Sequence, residues 1–232
     1  MKHPYIIGAG GVASYLLPVL LKAFKPEQIT IIDKDILEER NLDRQMFHEG
    51  QIGKNKADAL SETLVRSTAQ ANPAVISVVP AWFTASTVIP DSVDAIICVA
   101  DNHEARRNAI QAAYDKGIRC YLGGNEYFDS EAYVTWADHA GTPADPRVRY
   151  KAIATSTEGS PTSCQGEEQV IHPQLAVANF MCAAKILHLL YAWETYYTGL
   201  GFKESREVER HLPLEIVSSI YTSDQHSSEV IK

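Results

Sequence analysis

The residue types that could handle a polyphosphate occur in order between Gly8 and Asp101. Gly8-Ala9-Gly10-Gly11 separates the apolar run Tyr5-Ile6-Ile7 from Val12-Ala13. A glycine turn between a strand and a helix lets backbone N–H groups and the helix's positive end meet a phosphate. Gly8 and Gly10 fit the dinucleotide fingerprint, Gly11 is an extra, and Ala13 takes the third glycine's place, where helix–strand packing tolerates alanine. Asp33 closes a second apolar run, Ile29-Thr30-Ile31-Ile32, where a ribose hydroxyl would need an acceptor. Asp35 repeats that chemistry two residues further out. Arg44 brings a planar donor fork suited to phosphate oxygens. Lys56 stands at the start of a helix, whose dipole reinforces its pull on an anion. Asp101 follows Ile96-Ile97-Cys98-Val99-Ala100, so it leaves the carboxyl end of a buried strand and could anchor magnesium.

Each residue also has a plainer reading. The glycines could form only a tight turn, Asp33 could be a helix cap or a surface carboxylate, and Arg44 and Lys56 could be solvated charges. Asp101 could cap the next helix, although Asn102 caps equally well and would release it from that duty. The combination is more specific than its members. Two cations arriving soon after the acid suit a polyphosphate better than a nicotinamide ring, which sets an NAD-dependent oxidoreductase behind a nucleotide-triphosphate enzyme.

These residues need an alternation of strands and helices to hold them. The pattern predicts strands near Tyr5–Ile7, Ile29–Ile32, Val75–Pro80, Ala95–Val99 and Arg119–Leu122, with another at Glu131–Trp136. Helices fit Val12–Phe24, Lys54–Ala71 and Glu104–Lys116, the last stopped by Gly117. Pro18 lies inside the first helix and crowds Ser14. Alternating elements of this kind predict a Rossmann-like, doubly wound α/β fold, with a mainly parallel sheet covered by helices on both faces. The expected organisation is an adenylation-type nucleotide core over residues 1–136 and a crossover or lid-like segment over 137–170. Residues 171–222 supply a C-terminal helix and strand that complete the same domain, and 223–232 form a tail. His139–Glu168 shows little periodicity and reads as weakly structured.

The formal net charge of −8 argues against broad binding to nucleic acid or an anionic membrane. No signal peptide is expected, because a strand-like segment begins almost at Met1. The apolar run Leu175–Trp193 is interrupted by Asn179, Lys185 and His188, so it reads as a buried or interface helix rather than a membrane span. Apolar on nearly all faces, it must be enclosed by protein, which predicts a homodimer with this helix at or beside the interface. The four scattered cysteines contain no Cys-x-x-Cys pair, so neither a zinc site nor a disulfide scaffold is expected, and a cytoplasmic location follows. Cys98, Cys120 and Cys182 read as packing.

Taken in order, Gly8-Ala9-Gly10-Gly11, Asp33-Lys34-Asp35, Asn41-Leu42-Asp43-Arg44-Gln45, Gly53-Lys54-Asn55-Lys56 and Ala100-Asp101-Asn102 resemble the adenylating domain of ubiquitin-activating enzymes and the ThiF/MoeB/HesA family. Ser163-Cys164, Val170 and the helix through Lys185-Ile186-Leu187 resemble the family's later segment. The resemblance implies that Gly8, Gly10 and Gly11 form the nucleotide turn and that Asp33 holds the ribose of ATP. Asn41, Arg44 and Lys56 would contact its phosphates, with Gln45 supporting their loop, and Asp101 would bind magnesium. The implied reaction is attack by a carboxylate on the α-phosphate, giving an acyl-adenylate and pyrophosphate. The implied partner is a ubiquitin-like or sulfur-carrier protein ending in glycine; adenylation of a small-molecule or peptide carboxylate, or an inactive nucleotide-binding scaffold, are the alternatives. Cys164 falls where several members carry a cysteine able to form a thioester or acyl-persulfide. The family also implies dimers. Two departures stand out: the paired zinc-binding cysteines of many relatives are absent, and the chain opens on its first strand, without the extension through which some relatives donate an arginine.

Overall fold

Runs of β-branched residues become the middle of a seven-stranded sheet in a computed structural model, which describes residues 1–67, 74–125, 129–155, 176–197 and 215–219. The strands are β1 (Pro4–Ile7), β2 (Gln28–Ile32), β3 (Val75–Val79), β4 (Ala95–Cys98), β5 (Arg119–Asn125), β6 (Asp129–Thr135) and β7 (Glu215–Ser219). Their order is β3-β2-β1-β4-β5-β6-β7. Pairings from β3 through to β5 are parallel, while β5–β6 and β6–β7 are antiparallel. This is the mainly parallel, Rossmann-like sheet that the alternation predicts.

Both faces of the sheet are buried, which explains why its central strands are apolar without interruption. Ile6, Ile29, Ile31, Ile97 and Tyr121 face one core, with Leu16, Leu17 and Leu20 of α1 (Gly11–Phe24) and Leu60 and Leu64 of α2 (Lys56–Ser67). Tyr5, Ile7, Ile32, Ile96, Cys98 and Leu122 face the other, with Ala109, Ile110 and Ala113 of α3 (His103–Lys116). Leu20 is fully buried, so Leu20→Ala would cost about 2–5 kcal/mol. α3 ends at Gly117 in a left-handed conformation, φ 65°, as its sequence anticipates.

The segment after β6 is more regular than its sequence suggests. A 3-10 turn, Ala137–His139, is followed by α4 (Pro146–Arg149) and α5 (Lys151–Thr155). Asp145 explains much of this: it is buried, its carboxylate accepts the Arg147 N–H at 2.9 Å, and it pairs with the Arg147 guanidinium at 2.8 Å. A cap of this kind organises a loop without producing hydrophobic periodicity.

The apolar C-terminal helix is α6 (Ala176–Leu190), continued by π-helical turns over Tyr191–Tyr197. It packs on α1, β5 and β6. By length and composition Ala176–Glu194 could cross a membrane. Within the fold, however, it is partly buried by protein: Asn179 and Lys185 point inward beside Ile186, Leu189 and Leu190, whereas Val177, Phe180 and Tyr191 are exposed. The Lys185 ammonium reaches Ser130, donating to its carbonyl and, at 2.6 Å, to its hydroxyl oxygen. Leu175, Cys164, residues 203–211 and the 223–232 tail lie outside the described residues.

Candidate active site

After β3 the chain crosses to the far side of β1 to form β4, so the helices that follow β1 and β4 lie on opposite faces of the sheet and leave a crevice at their carboxyl ends. Gly8 sits at that fork. It has φ +97°, and a Cβ there would lie 2.8 Å from the Ala100 nitrogen. Only glycine meets both constraints. Gly10 faces open space, with nothing within 4 Å of the place a Cβ would occupy. A ligand oxygen can therefore approach its backbone and the first turn of α1, whose N–H groups lack intrahelical partners. Gly11 packs differently, since a Cβ would strike the Asn179 side chain at 2.4 Å.

Asp33 leaves β2 beside this turn. Its carboxylate accepts the Ala9 N–H at 2.6 Å and the Asp35 N–H at 2.8 Å. Burial pushes its pKa up, against the pull of these two donors. Two carboxylate oxygens have about four acceptor sites, so a ribose hydroxyl can still be received. Asn55 fastens the neighbouring helix to the same strand end. Its amide donates to the carbonyls of Asp33 at 2.9 Å and Asp35 at 3.2 Å, while its oxygen accepts the Ala57 N–H at 2.9 Å. Lys56 consequently begins α2 next to Asp35, with its ammonium 3.2 Å from that carboxylate. Burial raises Asp35, but Lys34 and Lys56 together hold it below the ordinary carboxylate range.

Arg44 is carried on a turn that its own motif builds. Asn41 is buried and its side-chain oxygen accepts the Glu38 N–H at 3.0 Å. The Asn41 carbonyl accepts the N–H groups of Arg44 at 3.3 Å and Gln45 at 3.0 Å. Two ties hold this turn over α1 and the glycines. Ser14 Oγ accepts the Met46 N–H at 3.0 Å, and Asn179 Nδ2 donates to the Arg44 carbonyl at 3.0 Å. The Arg44 guanidinium itself donates to the Arg40 carbonyl at 2.9 Å. Gln45 is buried, and its side-chain oxygen has no hydrogen-bond partner among the described residues.

Asp101 is exposed at the end of β4, and Asn102 caps α3 instead, its side-chain oxygen accepting the Ala105 N–H at 2.7 Å. No group of three or more potential metal-binding side chains occurs among the described residues. A single carboxylate suits magnesium, which commonly keeps waters and substrate phosphates as its other ligands.

Thus Gly8, Gly10, Gly11, Asp33, Lys56 and Asp101 meet at one sheet edge, and the Arg44 turn is tied to it; Cys164 falls outside the described residues. Two supporting residues escape a motif-based reading. Asn179, fully buried, also accepts from Asn125 at 2.8 Å, so it joins α6, β5, Gly11 and the Arg44 turn. Arg106, buried in α3, donates to the carbonyls of Ala100 at 3.1 Å and Gly123 at 3.3 Å, fixing the strand ends beside Asp101. The sole hint of the first was an asparagine in an apolar helix. Cys182, by contrast, is an inert thiol, pushed up to about 12 by burial.

Fold and site define an open α/β protein with a glycine turn, an acid and a lysine gathered about its topological switch point, and an arginine-bearing turn tied to it. The chain belongs to the ThiF family, whose sequence profile matches residues 2–217. Among curated proteins it is similar to an adenylyltransferase and sulfurtransferase, UBA4, of Eremothecium gossypii, with 27% identity over 199 residues. That alignment covers 85% of this chain but 43% of the relative, so the chain spans less than half the relative's length. Its fold is similar to that of crystalline selenomethionine PaaA, with TM-score 0.63 and 16% identity over 98% of this chain and 63% of that one. Escherichia coli MccB crystallised with succinimide gives TM-score 0.62 and 18% identity, covering 84% of this chain and 57% of its own.

Proposed function

We propose that this chain is an ATP-dependent adenylyltransferase that activates a carboxylate. The observation that carries the reading is the convergence of the Gly8–Gly11 turn, Asp33 and Lys56 at the β1/β4 fork, with the Arg44 turn tied to it. Asp33 receives a ribose hydroxyl, and the glycine turn meets the phosphates. A carboxylate oxygen of the acceptor attacks the α-phosphorus, the bond from that phosphorus to the bridging oxygen breaks, and pyrophosphate leaves. Arg44 and Lys56 oppose the charge that accumulates, with Asn41 and Gln45 shaping the contact. Lys56 exchanges its Asp35 partner for phosphate oxygens. Asp101 would hold magnesium, which supplies further charge neutralisation when bound. Chemistry of this kind depends on positioning and electrostatics more than on a protein nucleophile.

The acceptor we propose is the C-terminal glycine of a ubiquitin-like or sulfur-carrier protein, a reading supported by the UBA4 relative, which is named for adenylyl and sulfur transfer. Cys164 would then take the acyl group as a thioester, its thiolate attacking the carbonyl carbon as AMP leaves. We also propose a homodimer. Val177 and Phe180 of α6, with Val19 of α1, form an exposed apolar face on which Tyr15 and Phe180 meet edge to face at 6.0 Å. A twofold axis would bury the same face on both subunits.

Carboxylate-dependent exchange of labelled pyrophosphate into ATP is the test. Exchange with a carrier protein ending in glycine supports the full reading, and exchange with only a small molecule or peptide moves the acceptor. ATP binding with no exchange for any carboxylate leaves a nucleotide-binding scaffold. A monomer in light scattering at micromolar concentration would overturn the dimer.

A further inference from the structure

Trp82 stands out because it is 59% exposed on a segment that is otherwise firmly anchored. The next residue, Phe83, is buried against Tyr5 with ring centroids 6.2 Å apart. The Ala81 N–H donates to the Val79 carbonyl at 2.9 Å, and the Thr84 N–H to Thr87 Oγ1 at 2.9 Å. The indole is therefore held outward by fixed neighbours on both sides.

Its position relative to Asp33 is informative. β2 and β3 run parallel with Ile32 opposite Val79, and the Asp33 N–H donates to the Val79 carbonyl at 3.2 Å. Asp33 thus has the glycine turn on its β1 side, through Ala9, and the Trp82 segment on its β3 side. A nucleotide whose ribose rests on Asp33 and whose phosphates lie on the glycine turn sends its base toward β3. Lys34, the residue after Asp33, sits over one face of the indole with its ammonium 4.0 Å from the ring centroid. With that face covered, the exposure of Trp82 comes from its other face and its rim. Lys34 also donates to Asp35 at 2.7 Å, and Asp35 holds Lys56, so ring, acid and phosphate cation are linked in one chain.

We propose that Trp82 is the stacking platform for the nucleotide's base, with Lys34 fixing the ring from behind. This rests on the nucleotide reading of the site above. A purine ring on an indole face is worth on the order of a tenfold to a hundredfold in affinity. Lys34 polarises the ring and restricts its rotamers, which lowers the ordering cost on binding.

Fluorescence makes this testable, because Trp136 and Trp193 pack against each other, centroids 4.8 Å apart, around Arg119 at the start of β5. Adding ATP or adenosine to the full chain should change the indole emission, whereas tripolyphosphate should not, and the change should vanish in Trp82→Phe. By calorimetry Trp82→Ala should bind ATP about tenfold or more weakly, Trp82→Phe should retain most of the affinity, and all three proteins should bind tripolyphosphate alike. In pyrophosphate exchange, Trp82→Ala should raise the KM for ATP and leave kcat near the parent's. Equal ATP affinity in the parent and Trp82→Ala overturns the platform and leaves the nucleotide site standing. A parent chain that binds no ATP overturns both.

Discussion

The two edges of the parallel sheet treat their polar groups in opposite ways. At the amino-terminal edge, charges and hydrogen-bonding groups satisfy one another. His3 is buried between Ser92 and Thr30, each at 2.9 Å from a ring nitrogen, and Asp94 accepts the backbone N–H groups of Lys2 and His3. Glu194 accepts from Tyr121 at 2.5 Å and lies 3.4 Å from Arg119 and 3.9 Å from the terminal ammonium of Met1. At the carboxyl edge, the same kinds of group are arranged around a crevice. Gly10 faces open space, Asp101 is exposed, and Lys56 is paired with an acid that already has Lys34 as a second partner. A saturated network contributes to stability, because removing any member leaves a buried partner unsatisfied. The arrangement at the carboxyl edge keeps capacity for a ligand.

That contrast breaks most sharply if the carboxyl edge proves structural. Arg44→Ala, Lys56→Ala and Asp101→Ala should each lower pyrophosphate exchange about a hundredfold to a thousandfold. Their melting temperatures should stay within a few degrees of the parent's. Three stable variants with near-parental exchange would show that this edge does no chemistry.

Asn179 sharpens the comparison because it belongs to both categories: buried like the amino edge, yet tied to the Arg44 turn. Asn179→Ala removes the donor to the Arg44 carbonyl and an acceptor of the Asn125 amide, at about 1–3 kcal/mol of stability. Exchange should fall too, with the loss recovered in part by raising ATP, since the turn can still be ordered by its ligand. A stability loss without any change in the KM for ATP would confine Asn179 to packing.

The amino edge should show the reverse. Glu194→Ala removes the acceptor of Tyr121 and the partner of Arg119, so unfolding should require about 1–3 kcal/mol less by urea titration. Exchange measured below the melting transition should match the parent's. A catalytic defect exceeding the stability loss would mean that the two edges are coupled.

How much of this was legible before folding follows from distance along the chain. The glycine turn, Asp33 and Asp101 each end an apolar run, so local pattern alone places them at strand ends. The two-faced burial of the sheet also follows from its uninterrupted apolar strands. Asn179 acts on Arg44 across 135 residues, and no spacing rule connects a helix asparagine to a distant carbonyl. Arg106 looks like any polar helix residue until α3 lies over β4 and β5. The order in residues 137–155 was hidden for a different reason, since Asp145 builds it by capping and pairing rather than by burying an apolar stripe. The inward turn of Asn179 and Lys185 in α6 was hidden because hydropathy counts residues without direction, and nothing local separates these two from His188, which is exposed.

The smallest expected effect belongs to His3 and concerns pH. Burial pulls its imidazole below the ordinary value of 6.5, against the opposing pull of Asp94. The neutral ring serves Ser92 and Thr30 with one donor and one acceptor, whereas protonation would make both nitrogens donors and leave a charge among buried strands. The unfolded chain therefore binds the proton more readily than the folded one. By linkage, stability is full above about pH 6.5 and declines as the pH falls through the lowered folded value. His103 is lowered as well, by burial and then by Arg106, so it adds to the same slope. Asp35 and Asp145 do not interfere, because their values lie below 3.8 when folded and their contributions fade only under more acidic conditions. Urea midpoints at pH 8, 6.5 and 5.5 should fall in that order for the parent. His3→Asn should start from a lower midpoint and decline less steeply, the residual slope reporting His103. A parent whose midpoint holds or rises on acidification over this range would show that the amino edge does not keep His3 neutral.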